Sequence, residues 1–182
     1  MVKDLIKLAI SYHLLDDVRV AVLKDIGTIR YDEGWETIRR GEEVTIPLWL
    51  ASILESKGHV EVREQRVTDV DISKYLLIEK GLKGSEFLKL KNNFYVDVIR
   101  LLKEIKEIKR SGDVSDAIFK TVRVEADLKD FIRMRLRKIV QIALLGREPE
   151  TYYQSLLLEE RVLLKKLSDI IKLWIKVIIG HE

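Results

Sequence analysis

Val44-Thr-Ile-Pro-Leu-Trp-Leu-Ala-Ser-Ile-Leu54 changes character at its fourth residue. Val44 to Ile46 has the β-branched texture of a strand. Pro47 then fixes φ near the helical value and lacks an N–H that a first turn would leave unpaired, so it opens a helix. Leu50, Ile53 and Leu54 share one face of that helix, and Gly58 caps it. A strand that turns directly into a short helix, with strand-like sequence on both sides, predicts a small β module carrying one helix.

Upstream, Leu5, Ile6, Ala9 and Ile10 form a short helical stripe. Val18-Arg-Val-Ala-Val-Leu23 follows as a strand, with Ile26-Gly-Thr-Ile-Arg30 as its expected hairpin partner. Asp32-Glu-Gly34 reads as a turn, Trp35 to Ile38 as a further strand, and Arg39-Arg-Gly41 as a second turn. Downstream, His59 to Val67 alternates as a strand with one wet face.

After about residue 85 the texture is helical almost without a break. Asp69 to Glu79 predicts a bridging helix, and Gly81 and Gly84 a hinge. Ser85 is the expected N-cap of a short helix through Leu88, with Phe87 and Leu88 inward. Phe94, Val98, Leu101, Leu102, Ile105 and Ile108 line one face of a helix that Ser111-Gly112 stops. Asp113 or Ser115 caps a long helix ending at Gly146, with Ile118, Val122, Phe131, Ile132, Leu136, Ile139, Ala143 and Leu144 as its apolar positions. The last helix is expected from Pro149 to about Gly180. Its Tyr153, Leu156, Leu163, Leu167, Ile170 and Trp174 keep three- and four-residue spacing, and Leu157, Leu164, Ile171 and Ile178 form a second row seven apart. Two adjacent rows make a face wider than one neighbouring helix covers. Either this helix is central in its own bundle or another chain covers it, and these ten residues are the interface candidates. The fold class is therefore α+β: a small N-terminal β-rich module with one short helix (1–68), a linking helix and hinge (69–84), and an all-α helical bundle and oligomerisation domain (85–182).

The 182 residues are 47% hydrophobic and 35% charged, which excludes a disordered tail or linker. A chain of this length buries roughly 70% of its unfolded surface and can fold unaided. Cysteine is absent, and with it disulfides, thiolate metal sites and a Cys nucleophile. Lys and Arg number 33 against 30 acids, so any nucleic-acid contact must be local. The opening MVKDLIKLAI is not a signal peptide, and Lys165, Lys166, Asp169, Lys172 and Lys176 keep the apolar tail from spanning lipid. The expected location is cytoplasmic. Few Asn and Gln beside abundant Ile, Lys, Glu and Arg point to a hot-growing source.

No catalytic set stands out. His13, His59 and His181 lie in different elements, Asp69-Val-Asp71 reads as a helix start rather than a cation loop, and Gly81-Leu-Lys-Gly84-Ser has no phosphate-loop spacing. No enzyme activity, metal or cofactor is expected. Arg133-Met-Arg-Leu-Arg-Lys138 is the densest basic run. Its two readings are ion pairing with Glu125, Asp127 and Asp130, or contact of Arg133, Arg135, Arg137 and Lys138 with nucleic acid, as in a DNA-binding regulator.

Gly41-Glu-Glu-Val-Thr-Ile-Pro-Leu-Trp-Leu-Ala51, followed by Gly58-His-Val-Glu-Val, resembles the signature of GINS subunits, of the class with the small β-rich domain first and the helical domain second. The order that follows is similar too: a linking helix, a helix with Phe94-Tyr95, a long helix with Arg135-x-x-Lys138, then an apolar last helix. The resemblance implies a non-enzymatic replication factor that assembles as four subunits with a related chain of reversed domain order. It implies partners in the MCM helicase, a RecJ-like protein, and primase or polymerase, and a place at the nucleoid. Ile46, Pro47, Leu48, Trp49, Leu50 and Ala51 carry the likeness as packing residues rather than a working site.

Overall fold

A computed structural model describes residues 2–30, 34–111, 114–146 and 150–180. Asp32, Glu33, Gly112, Asp113, Pro149 and His181, which the sequence reading placed at turns, helix ends or candidate ligands, lie outside the described residues, as do the side chains of Ile108 and Ser115. The chain divides into two compact units, Ser11–Arg66 and a second formed by Met1–Ile10 with Val67–Glu182.

In the first unit, alternating Val18, Val20 and Val22 place β1 (Asp17–Val22) at the centre of a three-stranded antiparallel sheet. β4 (Glu43–Pro47) pairs along one edge, from Asp17↔Pro47 to Ala21↔Glu43, and β5 (Val60–Val62) along the other. Because both edges of β1 are taken, Ile26–Arg30 does not form the expected hairpin with it. β2 (Gly27–Arg30) pairs instead with β3 (Trp35–Ile38), in a separate two-stranded ribbon. β5 is also shorter than the alternation suggested, since Glu64 and Arg66 replace the apolar residues that would continue its inner face.

Pro47 ends β4 and stands just before α2 (Leu48–Ser56), with φ −57° and ψ 142°. Gly58 follows the helix with φ +68°, the left-handed conformation that glycine adopts without a Cβ clash. The buried face of α2 is Leu48 and Ala51, not the expected Leu50, Ile53 and Leu54; Ile53 is 45% exposed. Small Ala51 lets the helix lie close to the sheet. Of the six packing-motif residues, Ile46, Leu48 and Ala51 are buried, Pro47 and Leu50 half-buried, and Trp49 partly exposed.

The second unit is helical. It contains α1 (Val2–Tyr12) up to Ile10, α3 (Asp69–Gly81), α4 (Phe94–Ser111), α5 (Val114–Leu145), α6 (Glu150–Tyr153) and α7 (Leu158–Ile179). The first ten residues and the 69–81 helix, read from sequence as module and linker, thus belong with the bundle. One apolar cluster gathers Ile72, Leu76, Phe94, Val98, Leu128 and Phe131, with Phe94 edge-on to Tyr95 at 5.2 Å. A second gathers Phe87, Ile139, Ile142, Ala143, Leu156 and Leu164.

Two sequence expectations fail here. Residues 85–88 are irregular rather than helical, although Phe87 is buried as predicted. The last helix is also broken, running as α6 and α7 with a turn between. Leu156 and Leu157 are neighbours that enter different clusters. A helix turns successive side chains by only 100°, so serving both sides needs extended backbone, and Leu157 has ψ 162°.

α3 begins with a capping box: the Thr68 hydroxyl oxygen accepts from the Asp71 N–H at 3.3 Å, and the Thr68 N–H donates to Asp71 Oδ2 at 2.9 Å. The Thr68 side-chain hydrogen bond, then its backbone one, holds the Asp71 carboxyl below its usual value of 3.8. Thr68→Ala should lower helical-unit stability by about 1 kcal/mol, read as a reduced urea midpoint. A depressed carboxyl stabilises above its unfolded value and loses that contribution as pH falls through the folded one. The wild-type advantage over Thr68→Ala should therefore hold at pH 7 and shrink below about pH 4.

Candidate functional site

Two of the four basic candidates turn inward. Arg135 is 1% exposed and Lys138 7%, on the face of α5 opposite to Arg133 and Arg137, which are exposed. Arg135 donates from Nε to Glu160 Oε1 at 2.6 Å and from Nη2 to Glu160 Oε2 at 2.7 Å. Its Nη1 donates to Glu79 Oε2 at 3.1 Å and to the Leu88 carbonyl at 3.0 Å. Lys138 Nζ donates to Glu79 Oε1 at 2.8 Å and to the Glu86 carbonyl at 2.7 Å. Two anions and two cations close the charge. The carboxylates are completed by Tyr95 Oη, donating to Glu160 Oε1 at 2.9 Å, and by the N–H groups of Leu88 and Leu157. The Phe87 ring stands 5.0 Å from the Arg135 guanidinium and 5.6 Å from Lys138 Nζ.

The electrostatics follow. Burial works against a charged Arg135, but the hydrogen bond and charge of Glu160, then the charge of Glu79, outweigh it and raise its pKa. Tyr95 is pushed well above its ordinary value, first by burial and then by the Glu160 charge, so it remains a donor. Satisfied groups of this kind do structural work, and neither Arg135 nor Lys138 can reach a phosphate. Of the expected intrahelical acids, only Asp130 pairs within the run, with Arg133 at 3.6 Å. Glu125 pairs with Lys106, and Asp127 accepts from Ser73.

The network also explains the irregular backbone. The single hydrogen of the Leu88 N–H goes to Glu79, so it is not free for a helical carbonyl, and carbonyls 86 and 88 point at the buried cations. Glu160 accepts from the Leu157 N–H at 3.0 Å and so starts α7 where the chain had been read as continuous helix.

Of the ten interface candidates, Leu156, Leu157 and Leu164 are buried inside the unit, and Tyr153, Leu163, Leu167 and Ile171 are half-buried. Ile170, Trp174 and Ile178 are exposed, Trp174 to 63%. Leu173, Ile175, Val177 and Ile179, which the row analysis passed over, are exposed with them. Their signal was present in Lys172-Leu-Trp-Ile-Lys-Val-Ile-Ile179, where only two residues in eight are polar, so the helix is apolar nearly all round rather than along rows.

Geometry explains why this end is bare. Arg135 meets Glu160, Ile139 and Leu163 line one cavity, and Leu167 and Ile171 pack on the cluster of Ile139, Ile142 and Ala143. Numbers rise together, so α5 and α7 run in the same direction. From that crossing α5 continues to Leu145 and α7 to Ile179, about nine residues further, roughly 14 Å at 1.5 Å per residue. The α7 tip overhangs its neighbour.

Among the described residues no group of three His, Asp or Glu could hold a metal ion, and no helix is long and apolar enough to cross a membrane. No model of a known protein family matches the chain, and no curated protein matches it.

Removing one member of the buried network leaves an uncompensated charge. Arg135→Met should destabilise the helical unit by about 3–5 kcal/mol, seen in chemical denaturation. Arg133→Met, on the exposed face, should change stability by less than about 0.5 kcal/mol.

Proposed function

We propose that this protein is a non-catalytic scaffold subunit of a GINS-like heterotetramer, linking the MCM replicative helicase to a RecJ-like partner and supporting DNA unwinding. The assembly contacts primase or polymerase and works in the cytoplasm at the nucleoid. The observation that carries the scaffold reading is the overhanging α7 tip, with seven large apolar side chains exposed between Ile170 and Ile179. The GINS assignment rests on the resemblance at Gly41–Ala51 and on domain order.

The physics of the tip supports association. Burying a Leu, Ile or Trp side chain yields about 1.5–3 kcal/mol, and an exposed patch this dense is unusual for a chain that works alone. The DNA-binding alternative is weaker, because Arg135 and Lys138 are committed to Glu79 and Glu160.

Leu164 and Ile171 are poor probes of assembly: Leu164 is core and Ile171 packs on it. The double substitution Trp174→Asp/Ile178→Asp changes exposed positions only. Co-expressed with a candidate chain of reversed domain order, the wild type should give a four-chain native mass. The double variant should be recovered without partner, with unchanged circular dichroism and melting. A wild type that forms no mixed complex, or a variant that keeps it, would sink the proposal.

A further inference from the structure

We infer that a cavity lined by α1, α4, α5 and α7 is a binding site for a small uncharged apolar molecule, about the size of one substituted aromatic ring. The site lies within the helical unit, away from the exposed α7 tip, and does not depend on the assembly proposed above.

Size and lining come first. Ile6 and Ile10, four apart on one face of α1, join Ile132, Leu136 and Ile139 of α5 and Leu163 of α7 around a space of about 180 Å³. A dry apolar cavity of about 150 Å³ already admits benzene. Ile139 is almost wholly buried and Leu136 is 37% exposed, so the space opens to solvent on the Leu136 side. A void of this kind ordinarily shrinks as its neighbours relax into it. Here Arg135 and Glu160 form part of the wall, and neither can move inward without breaking buried charge-assisted hydrogen bonds. The ionic set that fixes the helices therefore also holds the cavity open.

Polarity selects the occupant. Every N–H of Arg135 is spent: Nε on Glu160, Nη1 on Glu79 and the Leu88 carbonyl, and Nη2 on Glu160 and the Ser155 carbonyl. Glu160 accepts from Arg135 and Tyr95 at Oε1, and from Arg135 and the Leu157 N–H at Oε2. A water in the cavity finds no guanidinium hydrogen to accept, and an apolar group that displaces a poorly held water gains affinity. Glu159, also buried, lines the same space and adds a second carboxylate to the wall. An anion would meet two carboxylates and one committed guanidinium, and would lose its hydration besides. An uncharged ring meets neither cost.

The test uses the full chain with isotope-labelled isoleucine methyls, titrated with toluene and, in parallel, with benzoate, which puts a carboxylate on the same ring. Toluene should move the methyl resonances of Ile6, Ile10, Ile132 and Ile139 with a dissociation constant on the order of 1 mM. Near its solubility limit it should raise the melting temperature by roughly 2–4 °C. Benzoate should bind at least about tenfold more weakly. Ile10→Trp, which fills the space from α1, should abolish the toluene response at Ile6, Ile132 and Ile139. Leu163→Phe fills it from α7 and should do the same, so a loosened α1 cannot account for the loss. Trp174→Asp/Ile178→Asp should leave toluene binding unchanged. No movement of the four methyls, or equal movement at the exposed Ile170, Ile175 and Ile178, would overturn the inference. So would benzoate binding as tightly as toluene, or a toluene response that survives both filling substitutions.

Discussion

Two carboxylates and two cations buried in the helical unit form the constraint on which its architecture depends. Glu79, Arg135, Lys138 and Glu160 come from α3, α5 and α7, and their hydrogen bonds reach the backbone of residues 86, 88 and 157 and the hydroxyl of Tyr95 on α4. Each charge is dehydrated, so each must be matched in place, and a helix displaced by one turn would strand several at once. Hydrophobic burial supplies most of the driving force but tolerates sliding. The ionic set does not, and it fixes the register of four helices and the path of two irregular connections.

That register has a consequence at the far end of the molecule. By pinning Arg135 to Glu160, the network sets α5 and α7 running together and leaves α7 the longer. Beyond Ile171, which still packs on the core cluster, the excess is as apolar as a core helix and its large side chains are exposed. Stability and interaction are thus separated along one helix: Leu164 serves the core, and Trp174, three turns later, faces outward. In the first unit the same economy appears in α2, where Leu48 and Ala51 of the packing motif lie against the sheet and Trp49 stays partly exposed. The resemblance to GINS subunits therefore falls on residues that build the small module, while the surface proposed for assembly lies elsewhere in the chain.

Periodicity carried far. The α+β class, the helices at 2–12, 69–81, 94–111 and 114–145, and the strands at 17–22, 35–38 and 43–47 follow, to within a few residues at their ends, from alternation, helical spacing, Pro47 and the helix start at Asp69, because these signals act within a few residues. Strand partners were less accessible. Nothing local tells Ile26–Arg30 that both edges of β1 will be occupied by segments some 25 and 40 residues later. The break at Leu156-Leu157 was hidden for a similar reason: two leucines in an apolar stretch look like one helix face until two separate clusters each claim one of them.

By itself, then, the sequence determined composition, element types and the apolar excess of the last helix, all of which are short-range properties. Tertiary structure decided which part of that excess is exposed and that Arg135 and Lys138 of the basic run turn inward to buried carboxylates. Glu79 lies 56 residues from Arg135 and Glu160 lies 25 away, and only the folded backbone brings them within 3.1 Å. A basic run reads the same in sequence whether its partners are phosphates or buried carboxylates; burial, which removes water as the competing partner, makes the choice.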